Sequence, residues 1–281
     1  MIARRVFLAA GGGFVLLPGL ARATAADAGR LVLTGALEQG SLVVGHAPGA
    51  AVTVDAAKVQ VSPDGLFAFG LGYDQTKSTT VAATFADGTR ETRDVVPVKR
   101  KYDVQVVNGL PQKTVTPPAE VTARIARENA MVVEARKRDT AATAFAGIFD
   151  WPVKGIESGS WGNQRIDNGT PMAPHFGVDI AAPEGTPIHA PADGIVSLAE
   201  PNFYLTGGTV LLDHGHGVST TYIHQSALEV KVGDAVKRGE IIGLVGMKGR
   251  ATGPHLHWAM SWFQMRLDPS RSAATPTPPK A

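Results

Sequence analysis

Seven of the chain's eight histidines fall between His175 and His257, in a stretch that glycines cut into short apolar runs. Gly185, Gly194, Gly207-Gly208, Gly215, Gly217, Gly233, Gly239, Gly243, Gly246, Gly249 and Gly253 leave segments of strand length between them, and runs so punctuated read as strands. Thr209-Val-Leu-Leu212 and Ser219-Thr-Thr-Tyr-Ile223, joined through Asp213-His-Gly-His-Gly217, form a predicted hairpin. A strand sends alternate side chains to opposite faces. In Gly253-Pro-His-Leu-His-Trp258 this puts His255 and His257 on one face and turns Leu256 and Trp258 toward a core.

A second stretch, His175-Phe-Gly-Val-Asp179, adds an imidazole and a carboxylate. Gly177 and Val178 argue against a helix there, but an extended or looped segment can still bring both side chains to one point. Two neutral imidazoles and a carboxylate suit zinc, and a catalytic zinc takes three protein ligands while keeping one position for water. Spacing alone leaves two His-x-His pairs open as ligands. His214 and His216 sit in a Gly-rich turn, where their side chains can point to solvent. His189, in Thr186-Pro-Ile-His-Ala190, reads as structural, and His46, beside a Pro-Gly turn, reads as a surface residue.

Residues 30–100 read as a small antiparallel β-sandwich. Its predicted strands are Leu31–Thr34, Ser41–Val44, Ala51–Val54, Leu66–Phe69 and Thr80–Phe85, between turns such as Ser62-Pro-Asp-Gly65. Residues 115–142 read as a helical connector with Thr116 as N-cap and Pro117-Pro118 in its first turn. Val121, Ile125, Val132 and Ala135 form its apolar stripe, and Arg136-Lys-Arg138 its solvated end. A second β-rich unit spans 147–269, and the Pro/Thr/Ala-rich stretch 270–281 is expected to be disordered.

Charge argues against nucleic acid as a partner. The chain carries 27 basic and 25 acidic residues, but residues 1–25 hold Arg4, Arg5 and Arg22 and no acid. Without them 24 bases face 25 acids, a net of −1. Those residues read as an export signal: two arginines, an apolar run from Val6 to Leu20, then Ala23-Thr24-Ala25. Arg4-Arg5 followed by Val6, Phe7 and Leu8 also resembles a twin-arginine signal. Gly11-Gly-Gly13 and Pro18 break the run, which is too short to span a membrane, so no membrane span is expected in the mature chain. With no cysteine, the chain has no disulfide framework.

From about Phe149 to Pro269 the sequence resembles the lysostaphin-type zinc endopeptidases, which cut peptidoglycan peptides. The resemblance is carried by His175-x-Gly-Val-Asp179-Ile-Ala-Ala-Pro183, Gly185-Thr-Pro187, Ala190-Pro-Ala-Asp-Gly194, Asp213-His-Gly215, Tyr222-Ile-His224, Val232-Gly-Asp234-x-Val236-x-x-Gly239 and Gly253-Pro-His-Leu-His-Trp258. Trp151-Pro-Val-Lys-Gly155, Gly162-x-Gln-Arg165 and Asn108-Gly-Leu-Pro111 resemble the leading segments of exported proteobacterial members. The resemblance implies a mainly β protein: an antiparallel β-sheet groove preceded by a small β-sandwich and a connecting helix. It implies His175, Asp179 and His257 as zinc ligands, His224 and His255 as catalytic histidines, and His214 and His216 as neither. The implied partner is the peptide cross-link of peptidoglycan. One departure is Met247-Lys248-Gly249, where the family has a small residue, threonine and glycine ahead of the His-x-His strand.

Two other functions compete. A non-catalytic regulator of wall hydrolases shares the fold but loses metal ligands, whereas this chain keeps all five positions. A lipoyl- or biotinyl-carrier module would explain Val232-Gly-Asp-Ala-Val-Lys-Arg-Gly239, but that turn pattern is common and a carrier has no use for five converging histidines and acids. For the sandwich, a wall-binding or shielding module and a spacer are both compatible with the sequence. Domain order motivates the expectation that the helix holds the sandwich against the groove.

Overall fold

The computed structural model describes residues 29–275 and 277–280; the export signal expected at 1–25 lies outside the described residues. The sandwich begins with β1 (Val32–Thr34), β2 (Leu42–His46), β3 (Ala50–Val54), β4 (Ala57–Lys58), β5 (Leu66–Gly70), β6 (Thr79–Phe85) and β7 (Arg90–Val95). Two antiparallel sheets, in the orders β1-β2-β5 and β4-β3-β6-β7, face each other across Val43, Val52, Phe67, Phe69 and Val81. Phe67 and Phe69 are fully buried. Phe67→Ala should cost about 3–5 kcal/mol, measured as a lower denaturant midpoint at unchanged slope. Strand β7, Arg-Glu-Thr-Arg-Asp-Val, carries almost no apolar signal because it is an edge strand whose residues alternate exposed and half-buried.

The other face of β5 is buried too. Ala68, with Leu42 of β2, joins the core of the C-terminal unit, and Gly70 lies against Met265 and Leu267. Arg100 pairs with Asp268 at 2.9 Å and Arg271 with Glu38 at 2.6 Å. The sandwich is therefore docked through a shared core.

The connector departs from expectation at both ends. After β8 (Val104–Val107) come a single turn, α1 (Gln112–Val115), and the main helix, α2 (Ala119–Ala135). Pro118, not Thr116, is the N-cap, with ψ 155°. A residue before proline is driven out of the helical region, so Pro117 cannot be helical and the helix waits for Ala119. The end is not solvated either: Arg136 is only 3% exposed. Val132 and Ala135 pack on Leu198, Phe203 and Leu211, as the predicted stripe requires.

The C-terminal unit adds β9 (Ile156–Gly159), β10 (Gln164–Asp167), β11 (Thr170–Met172), β12 (Val178–Ala181), β13 (Pro187–His189), β14 (Gly194–Phe203), β15 (Gly207–Asp213), β16 (Val218–Gln225), β17 (Ala227–Leu228), β18 (Ala235–Val236), β19 (Ile241–Leu244), β20 (His255–Trp262) and β21 (Met265–Leu267). Its main sheet runs β18-β14-β15-β16-β20-β12-β9, with β21 on β20, and is antiparallel throughout. The β15–β16 hairpin forms where the glycine spacing placed it. One face buries Tyr222, Leu256, Trp258 and Ile180. Strand β8 pairs in parallel with β10, so the segment after the sandwich already belongs to this unit.

Residues 270–280, expected to be disordered, instead pack as a strap where they are described. Trp151 Nε1 donates to the Ala274 carbonyl at 2.8 Å, and Glu157 N to the Pro279 carbonyl at 2.8 Å. A Pro-rich chain lacks donors but offers carbonyls, which suits an edge strand such as β9. Among the described residues, no helix is long and apolar enough to cross a membrane.

Candidate metal centre

Neighbouring strands deliver the site. Asp179 on β12 lies directly across from His257 on β20, and Ile223 of β16 lies across from His257 on the other side. Because strand side chains alternate, Val178, Ile180, Leu256 and Trp258 enter the core while Asp179 and His257 face the groove. His175 arrives from the loop before β12.

His175 Nε2 lies 3.0 Å from Asp179 Oδ1 and 2.9 Å from His257 Nδ1, and His257 Nδ1 is 2.8 Å from Asp179 Oδ1. The three residues form a group able to hold a metal ion, with ligand atoms within 4.8 Å of one another. The donor chemistry fits a cation. His175 Nδ1 donates to the Ser160 carbonyl at 3.1 Å, which leaves a lone pair on Nε2. That lone pair faces a carboxylate oxygen, an arrangement that repels unless a positive charge or a proton lies between. Burial opposes a charge on Asp179, but His175 and His257 outweigh it and hold its carboxyl well below the usual range. Its other oxygen accepts from Arg165 Nη2 at 2.6 Å.

His224 and His255 flank this group, their rings 4.8 Å apart. His224 Nδ1 donates to the Lys248 carbonyl at 2.7 Å and His255 Nδ1 to that of Gly253 at 2.9 Å. Carbonyls only accept, so Nδ1 carries the proton in both rings, and in the neutral imidazole Nε2 is the acceptor. His224 has φ 67°, a left-handed conformation costly for a residue other than glycine. Burial, then the neighbouring His255 and His257, pushes its pKa down to about 3, so it is neutral near pH 7. The departure at Met247-Lys248-Gly249 matters little here, because Lys248 contributes a main-chain carbonyl that any residue would supply.

Sequence reasoning used Gly177 only as a helix breaker and as part of the His175–Asp179 motif. A Cβ there would lie 2.3 Å from His257 Nε2, so only glycine lets the two strands close around the site. Arg136, Arg165, Arg250 and Arg266 were also missed. They line a cleft of about 290 Å³ with His175, His224 and His257. Among the described residues, α2 lines this cleft and the sandwich does not.

His214 and His216 correct an expectation. Both are buried, at 0% and 3% exposure, instead of pointing to solvent. Neither belongs to the metal-binding group. His214 Nδ1 donates to the Asp193 carbonyl at 2.7 Å, and its Nε2 lies 2.7 Å from the Thr220 hydroxyl, itself 2.7 Å from Tyr222 Oη. Burial takes its pKa from 6.5 down to about 4. The unfolded chain therefore takes up a proton first as pH falls, and folding stability should decline from about pH 6.5 toward 4. Denaturant midpoints across that window check this, with a shallower decline in His214→Asn.

Residues 173–269 match the family model described as peptidase family M23. The catalytic domain of the prophage-encoded M23 protein EnpA from Enterococcus faecalis is 32% identical, and the alignment covers 45% of this chain and 96% of that domain, with a TM-score of 0.38. Residues 173–269 of the chain form a peptidase family M23 domain. A Pseudomonas aeruginosa crystal structure described as a candidate peptidase M23 shares 28% identity, covering 83% of this chain and 93% of that one, with a TM-score of 0.64. Peptidoglycan DD-endopeptidase ShyA of Vibrio cholerae is 45% identical over 89 residues, 32% of this chain. The chain matches 20% of ShyA's own length.

Proposed function

We propose that the chain is an exported zinc endopeptidase that hydrolyses the peptide cross-links of bacterial cell-wall peptidoglycan. The observation that carries this reading is the convergence of His175 Nε2, His257 Nδ1 and Asp179 Oδ1 on one point, beside two histidines whose Nδ1 protons are held by main-chain carbonyls. Relatives named as peptidoglycan DD-endopeptidases supply the substrate class.

His175, Asp179 and His257 would hold the zinc. Bound there, zinc polarises the scissile carbonyl and acidifies a water toward neutrality. Arg165 and the Ser160 carbonyl fix the orientation of Asp179 and His175, and such outer contacts govern metal affinity. Nε2 of His224 or His255 takes the proton from the attacking water and returns it to the leaving amine. Once protonated, the same nitrogen can donate to the developing oxyanion. Residues 1–25 would direct the chain to the cell envelope, with Arg4-Arg5 favouring the twin-arginine route.

Digesting purified peptidoglycan with the zinc-loaded chain tests the reading. Cross-linked muropeptides should fall and new amino and carboxyl termini should appear at the cross-link. Unchanged muropeptides would overturn the enzyme and leave the non-catalytic regulator.

A further inference from the structure

The cleft beside the metal centre holds two arginines that no carboxylate neutralises. Arg136, one residue past α2, is 3% exposed. Its Nη2 donates to Thr221 Oγ1 at 3.2 Å, while its buried Nε has no partner. The Arg266 guanidinium, on β21, makes no hydrogen bond or ion pair among the described residues. The other two arginines of the cleft are matched: Arg165 with Asp179, and Arg250 with Asp167 at 3.7 Å. An unpaired buried charge is costly, and native proteins retain one where a ligand or partner compensates. Burial first, and the charge of Arg266 second, hold the Arg136 pKa well below the usual arginine value.

The sheet register places this pair relative to the reaction centre. Leu198, Leu211, Thr221 and Ala259 form one row across β14, β15, β16 and β20. Helix α2 covers the Leu198 and Leu211 end through Val132 and Ala135, and Arg136 comes down on Thr221. Ala259 follows His257 by two residues on the same face, a step of about 7 Å along the strand. A peptide crossing the metal centre and continuing in this direction meets Arg136 within about two of its own residues; Arg266 stands across from Ser261, four residues beyond His257, and lines the same cleft.

We propose that Arg136 and Arg266 form an anion subsite that binds a carboxylate of the peptide substrate, about two to four residues from the scissile bond. The inference rests on the peptide-hydrolase reading of the cleft. Paired guanidinium forks match the planar geometry of a carboxylate and give charge-assisted hydrogen bonds. Peptidoglycan stem peptides carry free carboxylates, which some chemistries convert to amides, so the subsite selects between the two forms.

The test uses the zinc-free full chain, which binds without cutting, and two synthetic stem peptides that differ only in free carboxylate against amide. Calorimetry should show the acid form binding about tenfold or more tighter. Arg266→Gln should remove that advantage, and Arg266→Lys should restore part of it. Equal affinities in the unaltered chain, or an acid preference that survives Arg266→Gln, would overturn the subsite. The contrast in the unaltered chain holds the test even if a variant misfolds. Failure of the zinc-loaded chain to cut either peptide would sink the hydrolase reading and leave the binding contrast intact.

Discussion

His175→Ala and His257→Ala should lose both zinc and hydrolysis, whereas His224→Ala and His255→Ala should keep zinc and lose about 100- to 10,000-fold in rate. The split follows from which atoms meet. His175 Nε2 and His257 Nδ1 lie 3.0 and 2.8 Å from Asp179 Oδ1. His255 Nε2 lies 3.8 Å from that oxygen, and His224 approaches the His257 ring only at 6.3 Å between centroids. Elemental analysis of each purified variant, paired with turnover of a soluble cross-linked peptide, separates the classes. If His255→Ala strips the metal and His257→Ala does not, the roles on β20 are reversed.

Gly177→Ala should weaken zinc binding by at least the 10- to 100-fold typical of lost support around a metal ligand. The added methyl would sit 2.3 Å from His257 Nε2, and 2.9 Å from the Trp258 carbonyl. Neither neighbour gives way cheaply. Trp258 is fully buried in the core and its strand is paired on both sides, so the imidazole ring must rotate away from Asp179 Oδ1. A competition titration against a chelator of known affinity measures the change. Zinc affinity equal to that of the unaltered chain would show that the site tolerates the displacement.

The side-chain alternation of β20 was legible because period-two patterning survives burial: Leu256 and Trp258 are both fully buried opposite the groove face. The β15–β16 hairpin was legible from its glycines. What escaped lies in contacts between elements distant in sequence. Arg136 looked like a solvated helix end because the run Arg-Lys-Arg is charged, and only the docking of α2 on Leu198 and Leu211 turns it inward. His214 looked exposed because its turn is glycine-rich, yet it bonds the Asp193 carbonyl. Pro117-Pro118 carried its information locally, since proline's effect on the residue before it already excludes Thr116 as the cap. The strap has no periodicity to read: where it is described, it bridges from Ala273 to Phe149 and from Lys280 to Glu157 of β9.

The most direct test of the account is a zinc titration of the metal-free full chain with hydrolysis of a cross-linked peptidoglycan peptide as the readout. Cross-link hydrolysis should be absent without metal, rise in proportion to added zinc, and break at one equivalent per chain. Hydrolysis that persists after complete zinc removal, or that never appears at any zinc level, would contradict it.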